Sequence, residues 1–200
     1  MKSAVIFDMG GVLIDWDPRH LYRKLIPDEQ AMEVFLANVC HHEWQEKQND
    51  GRPWAEAIAE RVALYPEHRD LIEAYWQRWP ETMGGAIDGT VATLDALRGR
   101  GIRLYGLTNW SAETFPFARQ RFEFLDWFEG IVVSGEVGMR KPSPEIFAHL
   151  FEQFGLDPAD AVFVDDHMPN IEGARSLGLE SHFFTSAENL RSYLKTVRLL

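Results

Sequence analysis

The sequence has few of the features that are typical of secreted or membrane proteins. Cys40 is the only cysteine among 200 residues, so no disulfide can form within the chain. No apolar run is long enough to cross a bilayer. The first apolar stretch begins at Ala4, but Asp8 interrupts it, so it lacks the features of a signal peptide. We therefore expect a cytoplasmic protein with no membrane partner.

Positive charge is also scarce. The chain has 20 lysine and arginine residues against 31 aspartate and glutamate residues, which gives a formal net charge of −11. Nucleic acids and anionic membranes repel a protein of this charge, so neither is expected as a partner. If such a chain binds phosphate, it needs a local source of positive charge, from a lysine or from a metal ion.

Internal repeats and low-complexity segments are absent, while apolar residues make up 46% of the chain. This length and composition fit one domain, or one domain with an insertion. From about residue 88 onward, helix-like and strand-like segments alternate, which predicts a parallel sheet with right-handed crossovers. The predicted helices here are 90–98, 111–121, 144–154, 170–177 and 187–197, and the predicted strands are 102–107, 130–133, 162–164 and 180–184.

A carboxylate directly follows the first predicted strand. That strand is the short apolar run Ala4–Phe7, and the residues after it are Asp8-Met9-Gly10-Gly11. Open α/β sheets bind ligands at the carboxyl edge of their strands, and glycine lets the backbone approach a ligand closely. Asp8 is therefore predicted to be a reactive group on a rigid support.

Three later segments carry groups suited to a phosphate and a cation. Thr108-Asn109 ends a predicted strand and precedes a helix, where a hydroxyl and backbone N–H groups can hold an anion. Lys141 stands just before another predicted helix. Asp165-Asp166 ends a further strand, and these paired acids together with Asp8 predict a Mg²⁺ site.

Each of these segments has an ordinary structural explanation when it is taken alone. Thr108-Asn109 could cap a helix, Lys141 could be a solvated surface lysine, and Asp165-Asp166 could form a turn followed by an N-cap. Together with Asp8, however, the segments place complementary groups at strand or helix ends in one consistent order. The separate explanations do not account for that order.

Four segments of the chain resemble, in order, the four motifs of the haloacid dehalogenase (HAD) superfamily. They are Asp8, Thr108-Asn109, Lys141-Pro142 and Asp165-Asp166. The surrounding residues are most similar to its small sugar-phosphate phosphatases of the glucose-1-phosphate type. The resemblance implies a Rossmann-like α/β core, with the Asp8 strand at the centre of its parallel sheet, and an inserted all-helical cap. We expect the core at residues 1–16 and 86–200 and the cap at residues 17–85.

The cap segment contains no convincing strand and has the pattern of several amphipathic helices. Its tryptophans are expected mainly in the core of the helix bundle. Glu43, Trp44 and Gln45 are the exceptions, because they flank a helix start that could face the cleft. Of these, we predict Glu43 and Trp44 to bind substrate. The predicted cap helices are 19–25, 28–38, 43–48, 53–64 and 67–78.

The resemblance also implies a mechanism. Asp8 would attack the phosphorus of a small phosphorylated metabolite, such as a sugar phosphate, and form an aspartyl-phosphate. The ligands implied for Mg²⁺ are Asp8, Asp166, the carbonyl of Gly10 and, close behind them, Asp165. The groups implied to hold the phosphate and offset its charge are Thr108, the backbone of Asn109 and Lys141.

Gly10 departs from the family pattern. Most phosphatases of the family have a second aspartate at this position, which acts as general acid and base. Its loss leaves metal binding plausible but leaves proton transfer to the leaving group unassigned. His167, next to Asp166, is a candidate substitute, and a histidine with a structural or solvated role is the alternative.

Two other functions stay open at this point. A 2-haloacid dehalogenase also uses an aspartate nucleophile and lacks the second aspartate, but it needs no metal. Such enzymes usually have Ser-Asn chemistry where this chain has Asp165-Asp166, so the acidic pair favours the phosphatase. The third reading is a regulator that binds phosphate or metal without turnover. The physiological substrate and the oligomeric state have no clear signal in the sequence.

Overall fold

The computed structural model describes residues 2–200. Its strands are β1 (Ala4–Phe7), β2 (Ile14–Trp16), β3 (Met83–Ala86), β4 (Arg103–Thr108), β5 (Gly130–Val133), β6 (Ala161–Asp165) and β7 (Glu180–Phe183). Five of them form a sheet in the order β5-β4-β1-β6-β7, and every neighbouring pair is parallel. In the middle strand, Ile6 pairs with Tyr105 on one side and with Phe163 on the other. The predicted α/β class and the central place of the Asp8 strand are confirmed.

Both faces of the central strand are buried. Because successive strand residues point to opposite faces, Val5 and Phe7 pack into one apolar cluster while Ala4 and Ile6 pack into another. In the part of the chain that the structure describes, no helix has both the length and the apolar character needed to cross a membrane. The helices are α1 (Arg19–Tyr22), α2 (Glu29–Asn38), α3 (His42–Asn49), α4 (Trp54–Leu64), α5 (Arg69–Gln77), α6 (Asp88–Gly99), α7 (Phe115–Arg121), α8 (Ser134–Val137), α9 (Pro144–Phe154), α10 (Met168–Ser176) and α11 (Ala187–Thr196).

The predicted core helices lie at or near their expected positions, with one clear difference, and the short helix α8 was not predicted. The helix predicted to open at Ser111 begins only at Phe115. Residues 111–114 form a turn instead, in which the carbonyl of Ser111 accepts from the N–H groups of Thr114 and Phe115. The hydroxyl of Ser111 also accepts from the N–H of Glu113 at 3.3 Å. Local side-chain bonding of this kind competes with helix formation.

The helices α1–α5 lie between two short strands that the sequence pattern did not indicate. β2 and β3 form an antiparallel pair at the base of this helical segment. β3 begins inside residues 17–85, which were predicted to contain no strand, so the prediction was wrong there. The sequence Met-Gly-Gly-Ala has low strand propensity, and the pairing with β2 rather than local preference defines the strand.

Three aromatic side chains fill the centre of the helical segment. The ring centroids of Trp44 and Trp54 lie 5.6 Å apart, those of Trp44 and Tyr75 5.5 Å, and those of Trp54 and Tyr75 5.3 Å. All three residues are buried. The prediction that Trp44 binds substrate is therefore corrected, because its indole is enclosed by the other rings.

Candidate active site

The predicted motif residues meet at the carboxyl edge of the sheet. Asp8 follows β1, Thr108 ends β4 and Asp165 ends β6, and these three parallel strands are neighbours. Their carboxyl ends therefore lie side by side. Carboxylate oxygens of Asp8, Asp165 and Asp166 come within 4.8 Å of one another. Lys141 reaches the same place from the loop before α9.

Lys141 supplies the positive charge at this edge. Its Nζ lies 2.7 Å from Oδ2 of Asp165 and 3.0 Å from Oδ2 of Asp8, and its side chain is fully buried. Burial opposes the charged form of Lys141, but the adjacent Asp165 and Asp8 carboxylates outweigh this effect and raise its pKa. The ammonium group is thus a fixed charge beside the predicted nucleophile.

Asn109 holds the backbone of Lys141. Its side-chain Nδ2 donates to the carbonyl of Lys141 at 2.9 Å, and its Oδ1 accepts from the Lys141 N–H at 2.9 Å. The amide side chain is therefore already engaged. That the Asn109 backbone, and not its side chain, holds a phosphate stays a prediction.

The two adjacent acids have different surroundings. Oδ1 of the buried Asp165 accepts from the His167 N–H at 2.7 Å, and its Oδ2 accepts from Lys141 Nζ at 2.7 Å. Nδ2 of Asn170 lies 3.1 Å from both oxygens. Asp166 is exposed and forms no ion pair within residues 2–200. Of the two predicted metal ligands, Asp166 has the more available carboxylate, while Asp165 orients Lys141 and Asn170.

The donor set fits a hard cation. Burial raises the pKa of Asp8 to about 8 despite the attraction of Lys141, and the negative charges of Asp165 and Asp166 contribute to the rise. Desolvation and the Asp165 charge also raise the pKa of Asp166. The buried Oδ1 of Asn170 has no hydrogen-bond partner in the described chain. Surplus negative charge and an unused oxygen acceptor are features that a partly hydrated Mg²⁺ ion would satisfy.

The two glycines after Met9 differ in whether the structure has room for a side chain in their place. Gly11 has φ of +75°, and a Cβ added there would overlap the carboxylate of Asp166. The close approach of loop and carboxylate therefore needs glycine. Gly10 has no left-handed backbone, and among residues 2–200, apart from its two chain neighbours, nothing lies within 4 Å of an added Cβ. The space that the family's second aspartate would enter is open.

A cavity of about 290 Å³ lies over Asp8 and between the sheet edge and the helical segment. Its lining includes Gly10 and Gly11, which can present only backbone there. The other lining residues from the core are Thr108, Asn109, Trp110, Asp166, His167 and Asn170, and those from residues 14–82 are Trp16, His42, Gln45, Glu46, Asn49 and Trp79. Gln45, which the sequence singled out beside Glu43 and Trp44, does face the cavity.

Glu43 lies elsewhere. It lines a second, more open groove of about 790 Å³ on the helical segment, which shares Trp16, His42 and Gln45 with the cavity over Asp8. The structure therefore does not bring Glu43 or Trp44 to the cavity over Asp8. The two residues are neighbours on α3, but one points to the outer groove and the other into the aromatic core.

Several lining residues were not predicted. Asn49 follows Gln45 by one helical turn, and the two side chains are in contact at 3.4 Å. Counting four residues on from Gln45 would have identified Asn49. Trp79 reaches the cavity from a 3₁₀ turn, for which the sequence has no comparable signal. Asn170 lies shortly after the Asp165-Asp166 motif, but the sequence pattern indicates no role for it.

Comparison with known proteins identifies a family and several relatives. The profile of the haloacid dehalogenase-like hydrolases matches residues 2–178. The sesquiterpene phosphatase astK of Aspergillus oryzae is 29% identical over 181 residues, which cover 88% of this chain and 87% of that protein. The phosphoglycolate phosphatase of Nitrosospira multiformis is 34% identical over 196 residues, which cover 91% of this chain and 82% of that protein.

A solved structure shares the fold. It is a HAD-family enzyme from Bacteroides thetaiotaomicron, crystallised with magnesium and inorganic phosphate. The two structures superpose with a TM-score of 0.70 over 93% of this chain and 96% of that chain, at 24% sequence identity. The profile match over most of the chain establishes that this protein is an enzyme of the haloacid dehalogenase-like hydrolase family.

Proposed function

We propose that this hydrolase is a Mg²⁺-dependent phosphatase that cleaves a small phosphate monoester, such as a sugar phosphate, through an aspartyl-phosphate on Asp8. The observation that carries the proposal is the placement of Lys141 Nζ 3.0 Å from Asp8, beside the available carboxylate of Asp166. A nucleophile, a fixed cation and a metal ligand at one cavity are the groups that phosphoryl transfer requires.

The chemistry divides into two displacements. A carboxylate oxygen of Asp8 attacks phosphorus, and the bond from phosphorus to the leaving oxygen breaks, so that the phosphoryl group is carried by Asp8. Water then attacks the same phosphorus, which releases inorganic phosphate and restores the Asp8 carboxylate. Thr108 and the backbone of Asn109 hold the phosphoryl oxygens, while Lys141 offsets their charge.

In this scheme the metal ion contributes positive charge and no reacting group. When bound, Mg²⁺ supplies positive charge at the carboxylate and at the phosphoryl oxygens. We assign its side-chain ligands to Asp8 and Asp166, with the backbone of Gly10 as a further oxygen donor. Asp165 keeps Lys141 and Asn170 in place through the hydrogen bonds described above.

Proton delivery to the leaving oxygen falls to a group other than residue 10. His167 lines the cavity, and its backbone N–H is fixed by Asp165 at 2.7 Å. We propose its imidazole as the donor. A leaving group of low pKa needs little protonic help, and such substrates would suffer least from the absence of an aspartate at Gly10.

We further assign residues 17–85 to a cap and residues 1–16 and 86–200 to the catalytic core. The helical segment supplies His42, Gln45, Glu46 and Asn49 to the wall of the cavity that faces Asp8. The leaving group of the substrate would meet these residues, while its phosphate meets the core. The relatives named above act on a sesquiterpene phosphate and on phosphoglycolate by name, so a phosphate ester is what their substrates share.

The test is hydrolysis of p-nitrophenyl phosphate and a panel of sugar phosphates, with Mg²⁺ and with excess chelator. We expect turnover with Mg²⁺ and its loss in chelator. Asp8→Asn should lower kcat by about a thousandfold or more, since the amide is a poor nucleophile. Asp70→Asn, the same change at an exposed residue of α5, is the matched control and should retain activity.

Four results would contradict the proposal. Undiminished hydrolysis in chelator would contradict the Mg²⁺ requirement. Release of halide from 2-chloropropionate without added metal would favour a dehalogenase. Binding of Mg²⁺ or phosphate by a folded protein that hydrolyses none of the esters would favour a regulator. Near-normal activity of Asp8→Asn would exclude the aspartyl-phosphate.

A further inference from the structure

We propose that the cavity over Asp8 selects substrates whose leaving group is uncharged and carries hydroxyl groups, and that it rejects leaving groups that carry a carboxylate. This inference rests on the proposed phosphatase activity and concerns the part of the substrate beyond the phosphate. Three features of the cavity walls support it: the sign of their charges, their neutral polar side chains, and the groove into which the cavity opens.

The charged side chains that line the cavity are acidic. Besides Asp8 and Asp166, Glu46 of α3 lines the wall on the cap side, and no lysine or arginine is among the lining residues that the structure describes. Arg140 is bound at 3.4 Å by Asp50 and at 3.8 Å by Glu46. Lys141 lies beneath the cavity and is already paired with Asp8 and Asp165. In the Mg²⁺-loaded enzyme Asp8 and Asp166 would be engaged by the metal, so Glu46 is the lining carboxylate that would repel an anionic leaving group. The described lining offers no lysine or arginine to attract one.

The same wall has neutral hydrogen-bonding groups. The side chains of Gln45 and Asn49 line the cavity, and their amide groups can donate to and accept from substrate hydroxyl groups. Trp16 and Trp79 line the cavity as well. The indole faces can also pack against the apolar C–H surface of a polyol or sugar.

In the adjoining groove, too, positive charge is already paired. It shares Trp16 and Gln45 with the cavity, which gives a leaving group of sugar size room to extend outward. Arg19 is the arginine that lines the groove, and it is already neutralised. Its Nε lies 2.6 Å from Glu33 Oε1, its Nη2 lies 2.7 Å from Glu33 Oε2, and Asp17 is 3.3 Å away. An anionic group is therefore disfavoured along the whole path.

The experiment compares substrates that differ in one group. Glucitol 6-phosphate and 6-phosphogluconate differ only at C1, which is a hydroxymethyl group in the first and a carboxylate in the second. 2-Hydroxyethyl phosphate and phosphoglycolate differ in the same way. With the Mg²⁺-loaded native enzyme at pH of about 8, above the ordinary range of imidazole titration, kcat/KM should favour the neutral member of each pair by about tenfold or more.

A variant pair tests the cause of this preference. Glu46→Gln removes one carboxylate from the wall, so the ratio of kcat/KM for the neutral to the anionic substrate should fall by about threefold or more. Glu56→Gln makes the same change on α4, at an exposed residue that lines neither the cavity nor the groove, and should leave the ratio unchanged. Thermal unfolding of both variants shows whether the fold is retained.

The outcomes separate this inference from the proposed function. Turnover of p-nitrophenyl phosphate with equal kcat/KM for both members of each pair, or with a preference for the carboxylates, would overturn the charge selection and leave the phosphatase intact. Turnover of that ester but of none of the four test substrates would do the same. Failure to hydrolyse any ester, p-nitrophenyl phosphate included, would overturn both.

Discussion

The side chain of Asn109 makes two hydrogen bonds with the backbone of Lys141 and thereby clamps it. The amide of Asn109 donates to the Lys141 carbonyl and accepts from the Lys141 N–H, each at 2.9 Å, across 32 positions of sequence. The clamp fixes the loop before α9 against the end of β4. The position of Lys141 Nζ between Asp8 and Asp165 therefore depends on a side chain that has no charge of its own.

Asn109→Ala should impair catalysis through Lys141. The change leaves two backbone groups of Lys141 without partners, which we expect to destabilise the fold by about 1–3 kcal/mol. The change also lets the ammonium group of Lys141 move, and a displacement of about 1 Å near the reacting atoms can lower kcat by about a hundredfold. Steady-state kinetics and thermal unfolding measure the two effects. Asn38→Ala, at an exposed asparagine whose Nδ2 donates to the carbonyl of Val34 within α2, is the matched control. A normal kcat in Asn109→Ala would contradict the clamp.

Gly10→Asp should fold and should add an acid at the position where most phosphatases of the family carry one. The backbone there is not left-handed, and no described residue other than the chain neighbours lies within 4 Å of an added Cβ, so the first side-chain atom meets no steric barrier. An aspartic acid at this position can protonate the leaving oxygen, which should raise kcat/KM for alkyl phosphates by up to about a hundredfold and flatten the dependence on leaving-group pKa. Gly10→Asn adds a side chain of equal size that is not an acid, so the native dependence of kcat/KM on leaving-group pKa should remain. Equal effects of Asp and Asn would show that proton transfer is not what changed.

Gly11→Ala should weaken metal binding. The new methyl group would overlap the carboxylate of Asp166, and the φ of +75° disfavours any side chain. Asp166 must then move away from the position that we assign to a ligand, and we expect the Mg²⁺ concentration for half-maximal activity to rise by about tenfold or more. Gly10→Ala is the neighbouring control and should keep the native requirement. An unchanged Mg²⁺ requirement in Gly11→Ala would argue against Asp166 as a ligand.

Magnesium affinity should increase as pH rises through the neutral range. In the metal-free protein, burial raises the pKa of Asp8 to about 8, so the carboxyl is largely protonated at lower pH. Mg²⁺ binds the carboxylate and must displace that proton, which weakens binding by up to about tenfold for each pH unit below the pKa. Above pH of about 8 the affinity should level off. Titration of tryptophan fluorescence with Mg²⁺ between pH 6 and 9 measures this, and Asp8→Asn should remove the slope. A pH-independent affinity in the native protein would contradict the assignment of Asp8 as a ligand.

Much of the core was predictable because it depends on local patterns. Apolar runs before Asp8, Thr108 and Asp165 indicate buried strands, and helices between them require parallel pairing. Residues at the carboxyl ends of neighbouring parallel strands then share one edge without further information. The resemblance to a known family placed the Asp8 strand at the centre of the sheet, and the structure agrees with that placement.

The divided roles of Asp165 and Asp166 were not visible in the sequence. The two residues have the same side chain and adjacent positions, but strand alternation sends them in different directions. Asp165 points inward to Lys141, which is 24 positions away, and to Asn170. Only the packing of β6 against the loop before α9 and the start of α10 determines which acid is enclosed and which remains available.

The orientation of α3 is the clearest case in which tertiary structure decided the site. The sequence by itself determines that Trp44 and Gln48 share one row of the helix and that Gln45 and Asn49 share the next. It does not determine which row faces the cavity. Trp54 and Tyr75, from α4 and α5, enclose Trp44, and burial of this large apolar surface turns its row inward. Gln45 and Asn49 face Asp8 as a consequence, because helical periodicity relates residues within one helix, whereas contacts with other helices set its rotation.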